Sequence, residues 1–127
     1  MSTDSFVHLH CHTEYSMLDG AARVGDLMAE VQRQGQTAIA TTDHGYLFGA
    51  YDFWSKAKSA GIRPIIGLEA YVTPGTHRTD KTRVKFGDGG RDDVSGSGAY
   101  THMTMWAQNN TGMHNLFRMC SLASLEG

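Results

Sequence analysis

His10 and His12 stand two residues apart in Val7-His8-Leu9-His10-Cys11-His12, with Ser16 and Asp19 close behind. In an extended backbone, side chains two apart lie on one face, so the two imidazoles can converge on one point. A neutral imidazole nitrogen is the commonest protein ligand for transition-metal ions, and this pair supplies half of a metal site. Further on come Asp43-His44-Gly45, a lone Glu69 inside an apolar run, and His102. An unpaired carboxylate is expensive to bury, and a metal ion removes that difficulty for Glu69. Imidazoles mixed with carboxylates, without a thiolate pair, suit catalytic Zn²⁺, Mn²⁺ or Fe²⁺ rather than a closed structural zinc site. A bridging carboxylate at Glu69 would allow two ions about 3.5–4 Å apart, the spacing used in phosphoester hydrolysis.

These residues need strands and helices to bring them together. Phe6 to Cys11 alternates and is rich in strand formers, which predicts a first strand. Val24, Leu27, Met28 and Val31 recur at i, i+3, i+4 and i+7, an amphipathic helix stopped by Gly35. Thr37 to Thr42 is a short strand of small and β-branched residues that ends in Asp43-His44-Gly45. Gly49 to Ala60 forms a second helix ahead of Gly61. Ile62 to Val72 forms a third strand whose apolar middle reads as buried on both faces, as parallel strands are. The order is βαβαβ, an α/β class with a parallel sheet. Residues 76–98 are a polar loop or insertion, dense in Gly, Ser, Thr, Asp and Arg. Tyr100 to Ala107 resumes as a strand, and Thr111 is placed to cap a last helix through Leu125. The candidate ligands then fall at four successive strand ends, and catalytic groups in α/β folds gather at the carboxyl ends of parallel strands.

The 127 residues hold one domain at most, and 40% hydrophobic with 19% charged residues describes a globular chain. A net charge of −2 provides no global attraction to nucleic acid or membrane, so any nucleic-acid contact must be local. No signal peptide is legible, and no run approaches the roughly 18 apolar residues that span a bilayer. The two cysteines, Cys11 and Cys120, are too far apart in sequence to read as a disulfide framework, so a reducing cytoplasm is expected. Four strands and three helices fall short of an eight-stranded barrel, which takes about 250 residues. A truncated piece of a larger barrel is expected, a small open α/β sheet being the other choice.

Bland roles remain for many residues. His8, His77 and His114 read as surface or satisfied histidines. Asp43 is expected to orient His44 or its loop rather than bind metal. Ser16 can cap a turn. Cys11 points away from the two histidines by parity and belongs to the core. Met103, Met105 and Trp106 read as packing residues. Arg78, Lys81, Arg83 and Lys85 read as a solvated charge run, contact with a nucleic-acid backbone being the alternative.

Taken together, His10-Cys11-His12-Thr13-Glu14-Tyr15-Ser16 with Asp19-Gly20, then Thr42-Asp43-His44-Gly45, resemble the first two motifs of the PHP (polymerase and histidinol phosphatase) superfamily. Within it, Tyr15 to Gly20, Pro64 to Val72, His102 to Ala107 and Asn115-Leu116-Phe117 are similar to the N-terminal PHP domains of the alpha subunits of bacterial replicative DNA polymerases. The resemblance covers nearly the whole chain outside the Gly/Ser-rich loop.

The resemblance implies a distorted seven-stranded (β/α) barrel, here truncated after about four strands, with up to three divalent ions, zinc or manganese being typical. Carried over by position, the metal ligands fall on His10, His12, Asp19, His44, Glu69 and His102, with Asp43 and Ser16 supporting them. Where the ligand set is complete, such domains hydrolyse DNA 3′ ends as proofreading exonucleases; where it has decayed, they serve as scaffolds. The resemblance further implies a nine-ligand site whose last three members, a cysteine, an aspartate and a histidine, lie past residue 127. Cys120 is a poor substitute for that cysteine. The chain is expected to be an N-terminal fragment, weakly active or inactive alone. Its parent would bind a DNA primer 3′ end and holoenzyme subunits such as a sliding clamp, with magnesium at a polymerase site outside this chain. The rival readings are a histidinol-phosphatase-like enzyme for small phosphate esters and a non-catalytic, metal-stabilised scaffold.

Overall fold

The computed structural model describes residues 6–87 and 97–127. Helix α1 spans Val24–Arg33 and buries Val24, Met28 and Val31 along one stripe. Its first turn is capped from a distance, since Val24 N–H donates to Oε1 of Glu14. The helix ends before Gly35, which takes a positive φ of 70°. Strand β1, Ala38–Thr41, is buried at every position. Helix α2, Ala50–Ser59, turns Phe53 and Ala57 inward. The core is the cluster of Val24, Met28, Val31, Ile39, Phe53, Ala57 and Ile62, with Cys11 and Leu27 packed against it. Fully burying a side chain such as Phe53 or Ile39 contributes roughly 1.5–3 kcal/mol.

Strand β2, Arg63–Val72, changes partner halfway along. Its first part pairs in parallel with β1, from Ala38 opposite Arg63 to Thr41 opposite Ile66. Its second part pairs antiparallel with β5, Thr101–Trp106, from Gly67 opposite Trp106 to Val72 opposite Thr101. The sheet order is β1-β2-β5. Gly67 sits at the changeover, and a Cβ there would lie 2.3 Å from the Met105 carbonyl oxygen. Between β2 and β5, strands β3 (Val84–Lys85) and β4 (Ser97–Gly98) form a two-residue antiparallel ladder. The expected polar loop therefore carries a small ribbon, and its residues 88–96 lie outside the described ones. Helix α3, Asn110–Glu126, closes the chain and buries only Leu116. Among the described residues no helix is long and apolar enough to cross a membrane.

Four expectations are corrected. Residues 6–11 form no regular strand. The segment does run beside β1, with Ala40 N–H donating to His8 O and Thr42 N–H to Cys11 O. Two residues, Leu9 and His10, thus oppose the single Thr41, a bulge that puts a bend at His10 and breaks the ladder. The sheet is mixed rather than all parallel, because β5 runs against β2. The helix cap is Asn109, whose side chain accepts from Gly112 N–H, and not Thr111. Finally, Met103 is half exposed and does not fill the core, and Trp106, also partly exposed, donates its indole N–H to the Leu9 carbonyl.

Candidate metal centre

Each candidate ligand is delivered by a different piece of local structure. His10 and His12 flank Cys11 at the bulge. Asp19 ends a tight turn in which Ser16 N–H donates to Thr13 O, and Asp19 and Gly20 N–H donate to Ser16 O. His44 follows β1 and forms a parallel bridge with Glu69, extending the β1–β2 register past the strand itself. His102 lies near the start of β5. Because that strand is antiparallel, its amino end meets the carboxyl end of β2, with His102 opposite Tyr71 and diagonal to Glu69. Convergence at one end of the sheet is therefore achieved without all ligands standing at strand carboxyl ends.

Glu69 is the hub. Its Oε2 lies 2.5 Å from His10 Nε2 and 2.7 Å from His12 Nε2. Its Oε1 lies 2.5 Å from His102 Nδ1 and 3.8 Å from His44 Nδ1. Asp19 Oδ2 stands 2.7 Å from His44 Nε2 and 3.5 Å from His12 Nδ1. The six side chains fall into three overlapping groups whose ligand atoms lie within 4.8 Å of one another: His10, His12 and Glu69; His12, Asp19 and His44; His44, Glu69 and His102. His12 and His44 thus turn one ring nitrogen toward Glu69 and the other toward Asp19. Burial pushes the Glu69 carboxyl up, but hydrogen bonds to His10, His102 and His12 and the charge of His44 outweigh it and hold it down to about 2.

The donor set fits divalent cations. His44 Nδ1 is buried and has no hydrogen-bond partner among the described residues, with Glu69 Oε1 3.8 Å away, and a cation between the two would satisfy both. Four imidazoles with two carboxylates, and no thiolate, match the ligands of borderline divalent metals.

Asp43 and Ser16 hold the frame. Asp43 is buried and accepts from Thr13 N–H (2.6 Å), Thr13 Oγ1 (2.8 Å), Ser16 Oγ (2.7 Å) and Thr41 Oγ1 (3.1 Å). Ser16 Oγ in turn accepts from His44 N–H at 3.1 Å. The carboxylate touches no imidazole ring and orients His44 through Ser16 and the backbone. Thr13 and Thr41, absent from the expected site, complete this clamp. Thr13 follows His12 directly and so takes the opposite parity, the one sequence signal that could have found it. His8 packs on Phe6, His77 bonds Thr79 and His114 lies against Phe117, all apart from the cluster. Two of the loop cations are engaged: Arg78 pairs with Glu126 and Arg83 donates to Ser97 O.

A sequence model of the PHP domain matches residues 8–127. The chain is 58% identical over 125 residues to the DNA polymerase III subunit alpha of Mycobacterium tuberculosis, covering 97% of this chain and 10% of the relative. It is 56% identical over 129 residues to that of Mycobacterium leprae, covering all of this chain and 11% of the relative. The chain thus spans about a tenth of the length of the curated relatives it matches. Its fold is similar to a solved protein of Bifidobacterium adolescentis assigned as a metal-dependent phosphoesterase, with a TM-score of 0.59, 18% identity, and coverage of 94% of this chain and 32% of that one.

Proposed function

Because this chain belongs to the PHP domain family, we propose that its six clustered side chains hold divalent ions for phosphoester hydrolysis at DNA 3′ ends. The observation that carries the reading is the hub itself: a buried, ionised Glu69 ringed by four imidazoles with Asp19 beside them. On this reading, residues 1–127 are the N-terminal part of a PHP domain with a polar insertion at 76–98. The parent protein is a bacterial replicative polymerase alpha subunit, working in the cytoplasm with the primer 3′ end, a sliding clamp and other holoenzyme subunits. Strong identity to alpha subunits along nearly the whole chain supports this.

His10, His12, Asp19, His44, Glu69 and His102 would hold up to three divalent ions, zinc or manganese as the family resemblance implies, a choice their imidazole and carboxylate donors accommodate. Bound there, such ions supply Lewis acidity and lower the pKa of water. The chain's own residues do the positioning. Glu69 compensates positive charge at the hub without protonating near neutral pH, as its low pKa requires. Asp43, through Ser16 and Thr13, fixes the His44 and Asp19 segments relative to each other. The test uses the full-length protein: His10→Ala or Glu69→Ala should abolish 3′–5′ nuclease activity while nucleotide incorporation continues. Undiminished proofreading in either variant refutes the proposal.

A further inference from the structure

We infer that Tyr71 and Tyr100 form a stacking platform for the nucleobase of the nucleotide whose phosphoester the cluster holds. This rests on the phosphoesterase reading and adds the part of the substrate that metal ligands cannot grip.

The cluster opens into a cleft of about 380 Å³, within the usual size range for small-molecule sites. Asp19, His44 and His102 form part of its wall. Much of the remainder is aromatic or apolar: Tyr71, Tyr100, Tyr15, Met17 and Leu18. The Tyr71 ring centroid lies 4.8 Å from that of His102 and 6.1 Å from that of His44, nearly parallel to the latter. Tyr100 stands 4.9 Å from Tyr71, edge to face, and stacks on His102 at 6.0 Å. A phosphoester at the ligands would therefore bring its own sugar and base against these rings.

Local structure keeps the rings there. Glu69 and Tyr71 are two apart in β2, so hub and platform share one face of the sheet. Gly45 takes a φ of +67°, and a Cβ at that position would lie 3.0 Å from Tyr71 Cε2. The glycine leaves room for the ring to lie close to the backbone that carries His44. Yet 47% of Tyr71 and 51% of Tyr100 remain exposed, so each ring has area to give to an occupant. Base–aromatic stacking uses such half-exposed rings and tolerates every base, because each has a π-face. A base can reach them only when unstacked from its duplex, so the platform selects frayed or unpaired ends. An aliphatic phosphate monoester would leave both rings unused.

The test uses the full-length protein and single strands ending in 2-aminopurine, whose fluorescence is quenched on stacking. Tyr71→Ala and Tyr100→Ala should each weaken binding about five- to hundredfold, whereas Tyr71→Phe and Tyr71→Trp should retain the quench. Metal content is measured for every variant, so that a disturbed cluster is not mistaken for a lost platform. The wild type should favour base-bearing over abasic 3′ ends, and Tyr71→Ala should move that ratio toward one. Alanine variants with full metal content and the wild-type ratio overturn the platform. Quenching by a wild-type protein that cleaves no 3′ end supports the platform and overturns the nuclease reading instead.

Discussion

Asp43 offers the sharpest perturbation, because its contribution can be worked from four hydrogen bonds. Oδ1 accepts from Thr13 N–H and Ser16 Oγ, and Oδ2 accepts from the Thr13 and Thr41 hydroxyls. Hydrogen bonds to a charged group contribute roughly 1.5–3 kcal/mol each, with strong non-additivity inside one network. In Asp43→Asn the amide oxygen keeps the two Oδ1 partners. The amide NH₂ then faces two hydroxyls that can rotate to accept. Charge assistance is lost, and the buried Thr13 and Thr41 hydroxyls give up Oδ2 as their acceptor, about 1–3 kcal/mol together, or roughly five- to hundredfold in an equilibrium constant. Asp43→Ala strands the buried Thr13 N–H and releases Ser16, whose oxygen holds the His44 backbone. That loss is expected to reach about 3 kcal/mol or more, and metal affinity should fall roughly hundredfold, since partners that support ligands typically account for 10–100-fold. The assay is competition for metal with a chelator in the full-length protein, with hydrogen exchange at the Thr13 amide as a local readout. Metal binding within twofold of wild type in Asp43→Ala, with unchanged Thr13 exchange, would refute the clamp.

Two further outcomes are expected. Gly67→Ala puts a methyl 2.3 Å from the Met105 carbonyl, so β2 and β5 must separate; a loss of about 1–3 kcal/mol is expected, read as a lower melting temperature with weakened metal retention, and unchanged values would contradict the register. In metal-free protein, the Glu69 carboxyl is held at about 2 against an ordinary 4.5; its stabilisation is complete above pH 4.5 and lost as pH falls through about 2. Melting temperature should therefore drop over that interval, by up to about 3 kcal/mol of stability, and the drop should be absent in Glu69→Gln; equal slopes in both proteins would contradict it.

The helices were legible because burial imposes a period. Val24, Met28 and Val31 in α1 occupy the inward positions that their spacing predicted, whereas in α2 the residues that mark the helix by sequence, Tyr51, Trp54 and Ala57, include only one inward position, Ala57, and Phe53 fills the other. All six candidate ligands were visible, Glu69 as a lone charge in an apolar run and the others as imidazoles and a carboxylate at or near predicted strand ends, and the fold brings them together. Strand direction was not visible. Thr101–Trp106 has the same composition whether it runs with or against β2, and only pairing decides. The bulge at His10 was equally hidden, since one extra residue opposite β1 leaves no mark in an alternating run. Asn109 and Thr111 are both competent caps, and the choice between them follows from where the chain leaves β5. The two tyrosines read only as strand formers because their proximity to His44 and His102 is a tertiary fact.

The Glu69 carboxylate joins points 59, 57 and 33 residues away along the chain. In an unfolded chain, closing a loop of nearly sixty residues costs roughly 3–4 kcal/mol in entropy before any constant is added. The His10 and His12 closures are rewarded only once residues 8–11, β1 and β2 are side by side, and the His102 closure only once β5 lies along β2. Contacts of such separation form late, after local units such as β1–α2–β2. The binding site is therefore expected to form late in folding, and bound metal would act like a set of cross-links between segments distant along the chain. Metal uptake during refolding would then time a late stage of folding, and a lag behind the appearance of helix would be its kinetic signature.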